Sequence, residues 1–489
     1  MKRSLKKNFV LYFIKQLMSI VFPLITFTYA ARVLGVKGIG AINYSKSIVT
    51  YFTLISGFGI SNYAIREGAR IRDDQDNIDR FATEMFLINI CSTFVATVGV
   101  MIVINLPDFM AYKKLLCVFS LMVPFTLIGV EWVYSIYEDY LYITIRAILV
   151  QVISLFLLIF MVKNENDLVK YALITVLATV GSNIFNFVHS RKYVHFFGNR
   201  KCGYRIKKHL VAIATVFLTT LASQIYLNMD VTMVGYIAGD YSSGLYSASH
   251  KLIVTVTTLV SSLRVVLLPR LSYYLRNENT EKEYEELNAK SLRILLCACV
   301  PLMLGIFCLS NEAIMLFCGA EYLPASSTLR ILVFGMIFST LNGFIVYQIF
   351  MPQKKERIAL FGTLIGAVVN MVANTILISI WKENGAAVGT VLAEISVFVF
   401  CAAMSRNSIN LWTILKVLMR YLLAGTPIIV CCALSGCLLT NAIIRVIASV
   451  VLSAFTYVVM LSVMKDEVYM NIIRPQIHSI HSRLPFSHR

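Results

Sequence analysis

The stretch GYIAGDYSSGLYSASHKLIVTV, residues 235–256, repeats the pattern of an earlier stretch, ARVLGVKGIGAINYSKSIVTYF, residues 31–52. Glycines recur at one spacing, and a single extra residue then brings a Lys-x-Ile-Val-Thr run into register. The aligned pairs are Gly35 with Gly239, Gly40 with Gly244, and Lys46 with Lys251. Internal duplication is the usual architecture of secondary membrane carriers. The repeat therefore predicts a chain built from two related halves.

The composition places those halves in a membrane. Of the 489 residues, 58% are hydrophobic and 14% charged, and the mean hydropathy of +0.74 leaves too little polar surface for a water-soluble globule. Apolar segments of roughly 20 residues, the length that crosses the hydrocarbon core, cover almost the whole chain. The predicted spans are 9–31, 42–65, 81–105, 114–137, 140–162, 168–189, 210–237, 246–271, 291–317, 326–350, 357–380, 385–404, 415–439 and 443–464. We expect an all-α integral membrane protein with about 14 transmembrane helices, because each span exceeds the length of a barrel strand and lacks sustained alternation.

The repeated stretches hold the same place in two successive sets of six spans, since spans 1–2 resemble spans 7–8. An even number of spans gives both sets the same orientation, so we expect two pseudo-symmetric six-helix bundles related by an axis along the membrane normal. Two C-terminal helices remain outside the duplication. The expected division is an N-terminal six-helix bundle at 1–189, a basic cytoplasmic linker at 190–209, a C-terminal six-helix bundle at 210–404, two additional transmembrane helices at 405–464, and a cytoplasmic tail at 465–489.

Basic residues predict how the spans are oriented. With the N-terminal MKRSLKKN placed in the cytoplasm, the inner connections hold most of the Lys and Arg, including the run at 191–209, whereas the outer connections GDYSSG and CGAEYLPAS hold none. This distribution matches the positive-inside rule and predicts that both termini are cytoplasmic. The formal charge of +18 thus mostly reflects the basic residues that orient the spans in the membrane, and it does not indicate nucleic-acid binding.

The sequence lacks the nucleotide-binding and metal-binding motifs of soluble enzyme domains. It contains no GxxxxGK[ST] phosphate loop, and its eleven cysteines include no CxxC pair. The connections between spans are too short to hold a catalytic domain, and no large outer loop is present, as a membrane glycan polymerase or ligase would require. We therefore expect neither an enzyme nor a bound cofactor or metal.

Nine of the ionisable residues inside the predicted spans are candidates for a role within the bilayer, and six of these nine are basic. They are Lys15, Lys46, Glu131, Arg146, Asp230, Lys251, Arg264, Arg330 and Glu394. A charge at the bilayer centre costs about 2.5 to 3.5 kcal/mol, so such residues usually face a bundle interior, a partner or a wet cavity. A cavity for organic cations would show the opposite balance of charge. Lys point charges and the planar Arg fork suit a diphosphate instead, so the spans predict a cationic cavity for an anionic head group.

Four of these residues are candidates for binding that head group: Arg264, Lys251, Lys46 and Lys15. Lys15 lies about two turns from the inner surface, and Lys46 and Lys251 each about one turn inside the outer surface, so all three have a second interpretation in which their stems snorkel. Arg264 lies deeper. The 13 residues from Lys251 to Arg264 correspond to about 20 Å of rise and roughly 140° of phase, so both cannot point at one axis from a straight helix. If only one contacts phosphate, we favour Arg264.

Three further charges are predicted to have a coupling or structural role. Glu131 and Arg146 flank a short inner connection, which favours a structural ion pair. Asp230 either holds a neighbouring Lys or Arg in place or carries a coupling proton, and the sequence leaves these two roles open.

Several stretches resemble polysaccharide (O-antigen or capsule) repeat-unit flippases of the Wzx type, from the multidrug/oligosaccharidyl-lipid/polysaccharide exporter superfamily. They are ARVLGVKGIGAINYSKSI, SNYAIREGARIRDD, GVEWVYSIYEDYLYITIRAIL, NMDVTMVGYIAGDYSSGLYSASHKLI, LLPRLS and NGAAVGTVLAE. Together they cover the chain from about residue 30 to 400. The resemblance implies a fold like those of the lipid II flippase and the MATE exporters, with two bundles about a central cavity and alternating access.

The resemblance also implies an activity, namely translocation of undecaprenyl-diphosphate-linked oligosaccharide repeat units from the inner to the outer leaflet of the bacterial cytoplasmic membrane. The implied partners are that lipid-linked oligosaccharide and the membrane lipids. A proton or sodium counterflow and an association with a polysaccharide polymerase and chain-length regulator stay open. The alternative is a MATE-like cation-coupled antiporter of drugs or small solutes, which the basic excess within the spans disfavours.

Overall fold

The fold is helical, as the composition predicts. The computed structural model describes residues 5–197, 205–276, 281–406 and 408–475. None of these ranges contains a β-strand. The all-α prediction is therefore confirmed for the described residues.

Sixteen α-helices follow one another in those ranges. They are α1 Leu5–Gly57, α2 Ile60–Ile71, α3 Gln75–Ile104, α4 Lys113–Ser120, α5 Met122–Leu127, α6 Glu131–Ile136, α7 Tyr140–Met161, α8 Leu168–Val176, α9 Asn183–Ser190, α10 Ile206–Arg276, α11 Glu281–Cys308, α12 Ser310–Cys318, α13 Ala325–Ile345, α14 Glu356–Ser405, α15 Leu411–Leu438 and α16 Ala442–Val463. The predicted span 114–137 is thus divided among three short helices, α4, α5 and α6.

Eleven segments of the described chain are helical, long and apolar enough to cross a membrane. Three of them are about twice as long as one crossing needs, and each contains one residue with non-helical backbone angles between two predicted spans. They are Val21–Ile71 with Gly35, Ile206–Ser262 with Gly239, and Glu356–Ser405 with Lys382. The chain is accordingly a multi-pass membrane protein.

At Gly239 the chain folds back on itself. The Tyr246 hydroxyl donates a hydrogen bond of 2.6 Å to Asp230, although sixteen residues of straight helix would hold these side chains about 24 Å apart. Gly239 has φ 82° and ψ −178°, a conformation that favours glycine because it has no Cβ. Gly35 has nearly the same angles, φ 67° and ψ 178°. The two stretches that repeat in sequence therefore also share one backbone turn.

A single glycine makes this turn, so the second span starts earlier than predicted. The helix resumes directly after Gly35, and α1 continues to Gly57, where Phe58 and Gly59 end it with φ values of 43° and 70°. The apolar window had placed this span at 42–65. The shift moves Lys46 deeper than the predicted single turn, because the 11 residues from Gly35 correspond to about 16 Å of helix.

The chain forms two compact units, Met1–Ser247 and Ala248–Arg489. The first contains α1 to α9 and α10 as far as Ser247, and a buried apolar cluster joins its α2, α3 and α6 to the start of α10. The boundary expected after residue 189 rests on the count of spans, and that two-bundle division stays a prediction.

A buried polar group fastens the start of α10 within the first unit. His209 Nε2 lies 2.9 Å from Glu84 Oε2 on α3, and the Tyr63 hydroxyl on α2 lies 2.7 Å from His209 Nδ1. The Glu84 side chain is 4% exposed. The last residue of the predicted basic linker is therefore packed against α2 and α3.

In the second unit, the last two transmembrane helices pack against the preceding helices. Arg445 on α16 lies 2.7 Å from Glu312 on α12, and the Tyr457 hydroxyl donates a hydrogen bond of 3.0 Å to the Cys297 carbonyl on α11. Arg330, one of the charges within the predicted spans, donates hydrogen bonds to α12. These contacts join α16 to α11 and α12, and α13 to α12.

Candidate functional site

The two repeated stretches cross each other at their glycines. A Cβ added to Gly40 would lie 1.8 Å from the Asp240 carbonyl oxygen, and one added to Gly244 would lie 2.1 Å from the Val36 carbonyl oxygen. The offset of 204 residues that relates Gly40 to Gly244 also relates Val36 to Asp240, so the two contacts are equivalent. Only glycine permits this approach of the two backbones.

A polar seam continues along the same crossing of α1 and α10. Thr232 donates a hydrogen bond of 2.8 Å to the Ser47 hydroxyl, and the Tyr51 hydroxyl lies 3.1 Å from the same Thr232 oxygen. At the other side of the glycines, the Tyr112 hydroxyl donates a hydrogen bond of 2.8 Å to the Asp240 carboxylate. Side-chain hydrogen bonds thus flank the backbone contact on both sides.

Lys46 and Asp230 belong to this crossing. Lys46 is half-buried on α1, next to Ser47 of the seam, about 16 Å beyond the turn. In a hydrocarbon core of about 30 Å, that depth is less compatible with snorkelling than the predicted single turn. Asp230, two residues before Thr232, is 4% exposed and held by Tyr246. The geometry places both charges deep in the first unit, and their roles stay predictions.

Glu131 and Arg146 lie against each other. Arg146 Nη2 is 3.0 Å from Glu131 Oε2, and the Arg146 side chain is 8% exposed whereas that of Glu131 is 37% exposed. The guanidinium also lies 5.9 Å from the centroid of the Tyr142 ring. Its other two nitrogens find no hydrogen-bond acceptor among the described residues. The two charges form an ion pair, and its structural role stays a prediction.

The surroundings of the remaining candidate cations are less well defined. Lys251 is half-buried, and its ammonium forms no ion pair or hydrogen bond with a residue in the described part of the chain. The side chains of Lys15 and Arg264 lie outside the described residues. The structure therefore neither brings the four predicted cations together nor separates them.

A polar cavity that sequence reasoning missed opens within the first unit, beside the end of α1. Its volume is about 200 Å³. It is lined by Thr53, Leu54, Gly57, Gly59, Ile60, Ser61, Asn62, Asn89, Thr126, Gly129, Trp132, Phe217, Thr220 and Leu221. None of these side chains is ionisable. They come from six helices and two connections, so no spacing in the sequence could have revealed that they meet.

Two donor nitrogens in the cavity wall have no protein partner, although the side chains that carry them are largely buried. Asn89 is 8% exposed and Trp132 is 4% exposed, yet neither the amide nitrogen of Asn89 nor the indole nitrogen of Trp132 hydrogen-bonds to a described residue. The threonines of the wall behave differently. Thr53, for example, donates its hydroxyl proton to the Val49 carbonyl at 3.0 Å, which leaves its oxygen as an acceptor. The cavity thus presents both donors and acceptors without net charge.

An open apolar groove adjoins this cavity. It has a volume of about 610 Å³ and is lined by Tyr51, Ile55, Phe58, Phe217, Leu221, Ile225 and Met229. Phe217 and Leu221 border both spaces. Chemically, the two spaces together suit an amphiphilic ligand with a neutral polar part and a hydrocarbon part.

Comparison with known families agrees with the residues that suggested the resemblance. The model of the family described as "Polysaccharide biosynthesis protein" matches residues 5–275, which is more than half of the chain. The chain belongs to this family. A relative from Shigella dysenteriae, named "Putative O-antigen transporter", is 21% identical over 408 residues, covering 81% of this chain and 98% of the relative. The resemblance read from the sequence is confirmed.

Two solved structures of transport proteins have a fold similar to that of this chain. The "Lipid II flippase MurJ, inward closed conformation" superposes with a TM-score of 0.75 and 16% identity, covering 94% of this chain and 99% of that one. A multidrug resistance MATE family transporter in an inward-facing conformation gives a TM-score of 0.56 and 15% identity over 84% of this chain and 98% of that one. At such identities the likeness shows the fold alone. It confirms the predicted MATE and lipid II flippase-like fold.

Proposed function

We propose that this protein is a flippase that moves undecaprenyl-diphosphate-linked oligosaccharide repeat units from the inner to the outer leaflet of the bacterial cytoplasmic membrane, for the synthesis of O-antigen, capsule or exopolysaccharide. The observation that carries the proposal is the uncharged polar cavity beside the open apolar groove. Membership of the polysaccharide biosynthesis family and the name of the Shigella relative support the same substrate class.

The position of Lys46 fits the head group of such a substrate. Thr53 of the cavity wall follows Lys46 by seven residues on α1, which is 20° short of two full turns, so both lie on nearly the same helix face, about 10 Å apart. A diphosphate beside Lys46 would place a nearby sugar at the cavity. Lys251, Arg264 and Lys15 are further candidates for binding the diphosphate, and each requires its own test.

We propose that transport proceeds by alternating access, as the family resemblance implies. The diphosphate and sugars leave water for the polar surfaces of the protein, while the polyprenyl chain stays in lipid. Since the cell interior is negative, outward movement of net negative charge is favoured by about 2.3 kcal/mol per charge at 100 mV. The potential can therefore bias transport, with Asp230 as the candidate for an additional proton or sodium coupling. Both termini are cytoplasmic in this proposal, as the basic connections predict.

The test is deletion of the gene followed by analysis of the lipid-linked sugars. An impermeant sugar-modifying probe reports which leaflet holds them. We expect single repeat units to accumulate on the inner face of the deletion strain and to reach the outer face again when the wild-type gene is restored. Accumulation of unpolymerised units on the outer face would indicate a polymerase defect instead. A deletion strain that accumulates nothing but becomes sensitive to cationic drugs would support the antiporter alternative.

A further inference from the structure

The cavity beside the end of α1 has the chemistry of a site for a neutral polar group. Its wall carries amides, hydroxyls and an indole, and no ionisable side chain. A carboxylate or phosphate that entered would lose its hydration without meeting a counter-charge, which is strongly unfavourable in a low-dielectric site. An uncharged polyol would exchange its water for hydrogen bonds to the wall.

The unpaired donors indicate that the wall is prepared for acceptor oxygens. The Asn89 amide nitrogen and the Trp132 indole nitrogen have no hydrogen-bond partner among the described residues, although both side chains are largely buried. Both line the cavity. An oxygen of a bound group would satisfy each of them, and the threonine oxygens would accept hydroxyl protons in return.

The size of the cavity restricts what this group is. Its volume is about 200 Å³. It lies below the roughly 300 to 1,000 Å³ of pockets for drug-sized ligands. One pyranose ring with its hydroxyls has the appropriate dimensions, whereas an oligosaccharide does not.

We propose that this cavity binds one uncharged sugar unit of the transported glycan, close to the diphosphate, and discriminates against an anionic sugar at that position. The inference rests on the proposed function and deepens it, because it names the part of the substrate that the first unit selects. Trp132 and Asn89 donate hydrogen bonds to the sugar oxygens. Lys46, about 10 Å along α1 from Thr53, remains close enough for the attached diphosphate.

The experiment measures binding of three synthetic lipids to the purified full-length protein in lipid nanodiscs. They are undecaprenyl diphosphate alone, undecaprenyl-diphosphate-linked glucose and undecaprenyl-diphosphate-linked glucuronic acid. We expect the glucosyl lipid to bind at least roughly tenfold more tightly than the glucuronosyl lipid. Equal affinity for these two lipids would overturn the inference.

The variant Trp132→Phe keeps the aromatic ring and removes only the indole N–H, so it should fold normally. Loss of one hydrogen bond should weaken binding of the glucosyl lipid roughly three- to tenfold and leave the sugar-free lipid unaffected. Trp381→Phe, at a side chain that is 55% exposed, is the matched control and should change neither. Asn89→Leu provides a second test with the same expected pattern.

The possible outcomes distinguish failure of the sugar-site inference from failure of the proposed function. If the protein binds the sugar-free lipid but Trp132→Phe behaves like Trp381→Phe with the glucosyl lipid, the sugar site is wrong and the flippase proposal stands. If the wild-type protein binds none of the three lipids, both proposals fail.

Discussion

The glycine crossing between α1 and α10 makes a strong prediction for the substitution Gly40→Ala. The added Cβ would lie 1.8 Å from the Asp240 carbonyl oxygen, 2.7 Å from its carbonyl carbon and 2.9 Å from the Gly244 nitrogen. Non-bonded carbon contacts are comfortable only at about 3.5 to 4.0 Å. All three obstructing atoms belong to the backbone, so no side chain can rotate away. The two helices must therefore separate by about 1.5 Å or more.

Overpacking of this kind typically costs 1 to 3 kcal/mol, and the backbone contact places Gly40→Ala at the upper end, about 3 kcal/mol. For a unit of about 250 residues, such a loss lowers the Tm by about 6 °C. Thermal unfolding of the purified protein in detergent measures this change. Gly244→Ala should behave similarly, since its Cβ would lie 2.1 Å from the Val36 carbonyl oxygen. The double variant should lose less than the sum, because the first methyl group already separates the helices.

Gly305→Ala is the matched control on α11, because a Cβ there meets no atom within 4 Å. Alanine is the better helix former by about 1 kcal/mol, so this variant should be unchanged or slightly more stable than wild type. The two substitutions are chemically identical, yet only Gly40→Ala should lower the Tm. If Gly40→Ala left the Tm unchanged or raised it, the close crossing would not exist in the folded protein.

Four charged residues provide the remaining predictions. Lys46→Met should reduce outward transport of lipid-linked repeat units by tenfold or more if Lys46 contacts the diphosphate, and transport at the wild-type rate would exclude that contact. Asp230→Asn should alter the dependence of transport on a proton or sodium gradient, whereas an unchanged dependence would remove Asp230 from coupling. Glu131→Gln should destabilise the protein by about 1 to 3 kcal/mol, because Arg146 then stays buried without its anion. In thermal unfolding, the double variant Glu131→Gln/Arg146→Met should recover most of that loss of stability. The Lys170 ammonium and two backbone N–H groups lower the pKa of Asp167 from 3.8 to about 2. The ionised Asp167 carboxylate therefore contributes fully to stability above about pH 4, and this contribution disappears as the pH falls towards 2. Acid unfolding of Asp167→Asn should lack this part of the pH dependence.

Apolar length and the distribution of Lys and Arg predicted a helical membrane protein without its three-dimensional contacts, because crossing a bilayer is a local property of about 20 residues. The repeat was also readable. Gly35 and Gly239 are far apart along the chain, but each makes the same turn from its own positive φ, and only glycine adopts that angle readily. The exact span boundaries were less predictable. A hydropathy window could not show that one glycine, rather than a loop, joins two helices, and it therefore placed the span containing Lys46 too late.

The sequence by itself thus determined the membrane environment, the helical fold class, the duplicated stretches and the family. Only the tertiary structure decided that Gly40 and Gly244 meet, that Asp230 is held by Tyr246, and that an uncharged cavity forms around Asn89 and Trp132. The physical reason is that charges are rare and costly in lipid, so they are conspicuous in an apolar sequence. Neutral polar residues cost little in any one helix, and they become a site only where packing brings several helices together.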